Sequence, residues 1–223
     1  MFETTFLNSM PKLRARWNAV KNVDVNLASD GLNVIGAITE FTQADVINYI
    51  RNETADRLTL NINSYGGDFF AGLGVYNALR NDGRPVVTNN LALSASAASI
   101  IFLAGTERNS YAQSSVMMHN AMMITAGNAA QLRADADSLA VSDNQIRAIV
   151  SENTDLSTEQ MNELFANETF IPADDQLSMG ITNNILSQTE KDEDDDDEDN
   201  KTTRNQILMA LKDNYFKGVS YGK

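Results

Sequence analysis

The chain has 223 residues, no cysteine, one histidine and a formal net charge of −13. That length holds one sizeable domain with its own core, and the lack of cysteine excludes a disulfide framework or a thiolate zinc site. In the run from Glu190 to Asp199, nine acids against Lys191 carry −8 of that charge, leaving −5 for the remainder and no basic face for nucleic acid.

Residues 1–30 read as an N-terminal arm, with Lys12, Arg14, Arg16 and Lys21 around the single Trp17. They lack the basic start and apolar core of a signal peptide, and no apolar run approaches the ~20 residues of a membrane span. A soluble cytoplasmic protein with no membrane partner is expected.

Regular structure begins with a strand from Leu32 to Ile38. Thr42 and Asp45 resemble a capping box for a helix with Val46, Ile47 and Ile50 on its apolar face. A second strand, Arg57 to Asn63, stops at Ser64-Tyr65-Gly66-Gly67-Asp68, and a helix from Phe70 to Leu79 closes at Asn81-Asp82-Gly83. A third strand, Pro85 to Asn89, runs into Ser94-Ala95-Ser96-Ala97-Ala98-Ser99 and an apolar helix ending at Gly105. Strands alternating with helices imply βαβ units and a largely parallel, buried sheet.

Such sheets place their sites where strand ends lead into helices. The diglycine turn and the serine turn are two such ends. A hydroxyl at a helix start lies among unpaired backbone N–H groups, which suits a nucleophile; close helix packing accounts for the same small residues. The strand Ser114 to Asn120 ends on the only histidine, His119, which offers the base such a serine lacks.

Beyond Gly127 a helical pattern runs from Ala129 to about Asn153. It is longer than one core face requires, which points to packing against another subunit. Ser157 and Gln160 form a second capping-box pattern, Glu168 to Ile171 reads as a short strand, and Pro172 to Asp175 opens a last short helix closed by Gly180. Residues 31–187 thus form one domain. Residues 188–203 are an acidic linker expected to be disordered, and 204–223 a short C-terminal helix and tail.

Four patterns, in order, carry a resemblance: Asn63-Ser64-Tyr65-Gly66-Gly67 with Ala71-Gly72; Ser94 to Ser99; Met117-Met118-His119-Asn120; and Glu168 to Asp175 with Met179-Gly180. The chain resembles the Clp protease proteolytic subunit family, and its branch of phage head-maturation proteases in particular. The resemblance implies an α/β, ClpP/crotonase-like fold of repeated β-β-α and βαβ units, with a mostly parallel sheet and a protruding long helix. It selects Ser96 as nucleophile and His119 as general base. It aligns Glu168 with the acid, usually Asp in the family, with Asp174 as the alternative. The backbone N–H groups of Gly67 and Ala97 would form the oxyanion hole.

These assignments describe a serine endopeptidase cleaving capsid or scaffold proteins during phage head maturation, as a homo-oligomeric ring. No cofactor and no metal ion are called for, and the chain carries no ATP-binding motif from which an unfoldase partner could be inferred. The alternatives are a housekeeping peptidase working with an unfoldase, an acyl-CoA-binding protein of the related crotonase-like fold, and a non-catalytic ring or scaffold component.

Overall fold

The computed structural model describes residues 31–186. The expected N-terminal arm, acidic linker and C-terminal helix lie outside the described residues. In chain order the elements are β1 (Leu32–Ile38), α1 (Glu40–Asn52), β2 (Leu58–Gly67), α2 (Phe69–Asp82), β3 (Val86–Ala95), α3 (Ala97–Leu103), β4 (Glu107–Tyr111), β5 (Ser115–Met117), α4 (Ala129–Asn153), α5 (Thr158–Ala166), β6 (Phe170–Pro172), α6 (Ala173–Ser178) and β7 (Asn184–Leu186).

The expected largely parallel sheet is present. Strands β1, β2, β3, β4 and β7 lie side by side and parallel, β5 pairs in parallel with β3, and β6 pairs antiparallel with β5. Side chains alternate across a strand, so Leu58, Leu60 and Ile62 of β2 face the helical core with Val75 and Leu79 of α2 and Ile100 to Leu103 of α3. The residues between them face the other way, where a polar ladder crosses the sheet. Asn61 donates to Asn33 at 3.2 Å, Asn89 to Asn61 at 2.8 Å, Asn109 to Asn89 at 3.0 Å and Asn184 to Asn109 at 2.9 Å. Each pair is in register between neighbouring strands.

Three local expectations are corrected. The capping box of α1 lies one turn earlier than Thr42 and Asp45: Thr39 is the N-cap, and the Thr42 hydroxyl reciprocates to the Thr39 N–H at 3.2 Å. Strands β2 and β3 run on through Gly67 and Ala95 rather than stopping at Asn63 and Asn89. Strand β4 went unread in the sequence, because Glu107-Arg108-Asn109-Ser110-Tyr111 is polar; it joins the sheet through backbone pairing with β3 and β7.

The long helix is as expected, Ala129–Asn153, opened by a capping box from Asn128 to Gln131. Ile146, Ile149 and Val150 are buried, whereas Leu132 and Val141 are 43% and 59% exposed. Its first half therefore carries apolar side chains that the described residues do not cover.

Candidate active site

The site follows from a fork in the sheet. The first half of β3, Val87 to Asn90, pairs with β4, and its last three residues, Leu93 to Ala95, pair with Ser115 to Met117 of β5. Asn90 spans the fork, donating to the Ser115 carbonyl at 3.0 Å. One row of the sheet then reads Ala95, Met117, Phe170 across β3, β5 and β6. Because β6 runs antiparallel, one residue past Ala95, two past Met117 and two before Phe170 all lie beyond the same edge. Those residues are Ser96, His119 and Glu168.

Ser96 closes the turn between β3 and α3 with φ 55° and ψ −127°, a conformation that L side chains rarely adopt. Its N–H donates to the Met117 carbonyl at 2.8 Å, while its own carbonyl accepts from the Ser99 N–H at 2.9 Å and the Ser99 hydroxyl at 2.6 Å. These bonds hold the turn while the side chain points outward. Ser96 Oγ lies 2.8 Å from His119 Nε2.

Glu168 is the only other non-glycine residue with positive φ among the described residues, at 47°. It follows the C-cap of α5, where the Thr169 N–H donates back to the Leu164 carbonyl at 3.3 Å. Helices usually end in this way on glycine, so a glutamate here is held at a backbone cost of about 1–2 kcal/mol.

Burial lowers the His119 pKa from its ordinary value. The Asn120 backbone and the negative charges of Glu168 and Asp143 act in the opposite direction. Glu168 thus reaches the imidazole electrostatically; no hydrogen bond joins the two among the described residues. Asp174 lies exposed on α6 and does not act on the ring. Of the two acids left open by the sequence, Glu168 is the one brought to the histidine.

The diglycine loop is fixed from below. Ser64 Oγ donates to the Gly36 carbonyl at 2.6 Å and accepts from the Gly66 N–H at 3.0 Å, tying a bulge in β1 to the end of β2. Gly66 has φ 97°, and a Cβ there would meet the Ala95 carbonyl oxygen and Ser96 Cβ, both at 2.6 Å. At Gly67, φ 156°, a Cβ would lie 2.3 Å from the Ile38 carbonyl oxygen. Glycine lets the loop lie directly against the serine turn at Gly66 and against the end of β1 at Gly67. Ala97, the first residue of α3, has an N–H with no partner within the helix.

Gly67, Ser96, Ala97 and His119 open on one cavity of about 680 Å³. Its walls are mostly apolar, with Phe69, Phe70, Met118, Met122, Ile124 and Ile146 among them. No cluster of His, Cys, Asp or Glu suited to a metal ion occurs among the described residues, and none of their helices is long and apolar enough to cross a membrane.

The family model of Clp protease matches residues 24–189. The chain belongs to the Clp protease family. It is 31% identical over 132 residues to ATP-dependent Clp protease proteolytic subunit 3 of Rhodococcus jostii, covering 58% of this chain and 65% of that protein. It is 26% identical over 165 residues to proteolytic subunit 1 of Salinibacter ruber, covering 73% and 70%. The chain thus spans about two thirds of the length of these Clp relatives. The fold matches that of a ClpP1 mutant from Listeria monocytogenes with a TM-score of 0.63 at 22% identity, over 71% of this chain and 92% of that one.

Sequence reasoning placed Ser96, His119, Glu168, Gly67 and Ala97 within one site, and the structure brings them to one edge of the sheet. It missed the half-buried Asp143, whose charge bears on His119 from α4, because nothing in a helical pattern marks one acid among several.

Proposed function

We propose that this Clp-family chain is a serine endopeptidase in which Ser96 is the nucleophile, His119 the general base and Glu168 the acid that orients and stabilises the imidazolium. The 2.8 Å approach of His119 Nε2 to the strained Ser96 carries this reading. Ser96 Oγ attacks the scissile carbonyl as His119 takes its proton, and His119 then delivers that proton to the leaving amine. Water repeats the sequence on the acyl-enzyme. The tetrahedral oxyanion is held by the N–H groups of Gly67 and Ala97, whose alignment before reaction supplies the stabilisation. The apolar cavity accepts an extended peptide beside the segment that follows His119, with its side chains buried among Phe70, Met122 and Ile124.

The substrates in this reading are capsid or scaffold proteins of a phage head, cleaved by a homo-oligomeric ring packed through α4. The acidic run before the C-terminus and the small-residue pattern from Ser94 to Ser99 support that assignment. A second reading has the chain work with an ATP-dependent unfoldase, and the names of the Rhodococcus and Salinibacter relatives favour it.

Labelling with a fluorophosphonate tests the chemistry: the wild type is expected to be modified at Ser96, and Ser96→Ala to lose the label completely. Equal labelling of both, or none in the intact oligomer, would remove the peptidase reading. Cleavage of a capsid or scaffold protein without ATP or an added ATPase separates the two substrates; a strict ATP requirement selects the unfoldase partnership.

A further inference from the structure

Residues 118–128 carry His119 and belong to no helix or strand, and Met118 to Ile124 border the cavity. Such a segment has no ladder of backbone bonds to fix it. The aim of the imidazole therefore depends on groups that reach in from rigid elements. Two of them come from adjacent turns of α4. Asp143 Oδ1 accepts from the Ala121 N–H at 2.5 Å, and Arg147 Nη2 donates to Asn120 Oδ1 at 3.1 Å.

The i, i+4 spacing puts both side chains on one helix face. Arg147 is itself immobilised: its Nη1 donates to Asn162 Oδ1 on α5 at 2.8 Å, and its guanidinium lies 5.0 Å from the Phe165 ring centroid. The two residues that follow His119 are thus each tied to the same rigid helix. Asp143 and Arg147 do not line the cavity themselves.

We propose that Asp143 and Arg147 are positioning residues that aim His119 at Ser96 by clamping Asn120 and Ala121 to α4. The proposal rests on the peptidase reading above. A misplacement of about 1 Å in a reacting group costs on the order of 10²-fold in rate, so a two-point clamp beside the base is felt in catalysis. Asp143 has a second, separable effect, since its charge favours the protonated imidazole, as that of Glu168 does. The charged groups facing the ring's surroundings are Glu168 before β6, Asp143 and Arg147 on α4, and Asp68, which caps α2 at the cavity rim.

The test is the rate of fluorophosphonate labelling against pH for the full chain, with oligomeric state checked by sedimentation. Asp143→Ala loses anchor and charge, and is expected to label about 10–100-fold more slowly at its plateau. Asp143→Asn keeps an acceptor for the Ala121 N–H and loses only the charge. Its plateau is expected to stay within about 3-fold of wild type while the acidic limb moves to lower pH, because the imidazole is then harder to protonate. A purely structural aspartate would not split plateau from limb in this way. An Asp143→Ala protein with the wild-type plateau, whatever its limb, overturns the proposal while labelled Ser96 upholds the peptidase reading. If Asp143→Ala fails to fold, Arg147→Ala removes the other anchor, and a wild-type plateau in that variant overturns the proposal. A wild type that does not label overturns the peptidase reading, and the positioning role with it.

Discussion

At the scale of single residues, the site concentrates the backbone strain of the described chain, since Ser96 and Glu168 alone among its non-glycine residues have positive φ. Strain of this kind persists where the surrounding structure over-determines it. Here the Met117 carbonyl and both Ser99 donors fix Ser96, and the end of α5 fixes Glu168. His119 must be neutral to act as base, and burial lowers its pKa, so the acidic limb of activity is expected below the ordinary value of about 6.5. The same lowering carries a sign for stability. The unfolded chain binds this proton more readily, so stability falls as pH drops below the unfolded pKa and levels off below the folded one. Glu168→Gln removes a charge that favours imidazolium. Its acidic limb should move further down, and its maximal rate should fall by about 10²–10⁴-fold through loss of the group that stabilises the charged base. A pH–rate profile unchanged in both height and limb would exclude Glu168 as the acid and reopen the assignment.

At the scale of elements, the order of strands and helices and the two glycine- and serine-bearing strand ends were legible in the sequence, because each rests on local chemistry. The lengths of β2 and β3 were not, since Ser64 to Gly67 and Asn90 to Ala95 read as turn residues and become strand through register with their neighbours. Strand β4 was invisible for a related reason. Arg108 is buried there by donating to the carbonyls of Gly105, Asn153, Gly180 and Ile181, and Asn109 by joining the amide ladder. Glu168 was singled out only through family order; the row Ala95, Met117, Phe170 that places it beyond the same edge as Ser96 and His119 is a tertiary fact. The ladder makes its own prediction. Asn89 donates to Asn61 and accepts from Asn109, so Asn89→Ala removes both bonds from the middle of the ladder. At about 0.5–1.5 kcal/mol for each lost bond, a loss of ~1–3 kcal/mol in urea unfolding is expected. A loss under ~1 kcal/mol would show that the ladder follows the register rather than enforcing it.

At the scale of the whole molecule, α4 carries both the bonds to the segment bearing His119 and apolar side chains left exposed. Its second half is anchored by Ile146, Ile149 and Val150; Asp143 lies just before them and Arg147 among them, both bonded to the segment bearing His119. In the first half, Leu132 and Val141 are nine residues apart, which places them on opposite sides of the helix. A helix with apolar residues on both sides packs between neighbours rather than against one surface. Covering each side chain in a partner contributes about 1.5–3 kcal/mol. Leu132→Glu with Val141→Glu should therefore weaken assembly at least ~10²-fold in dissociation constant, measured by sedimentation across a concentration series. The subunit fold should survive, because the capping box at Asn128 and the buried second half do not depend on either residue. A double variant that sediments as the wild type does, at every concentration, would place the ring interface elsewhere. A variant that dissociates and also labels more slowly at Ser96 would show that the free half of α4 is coupled to the half that carries the clamp.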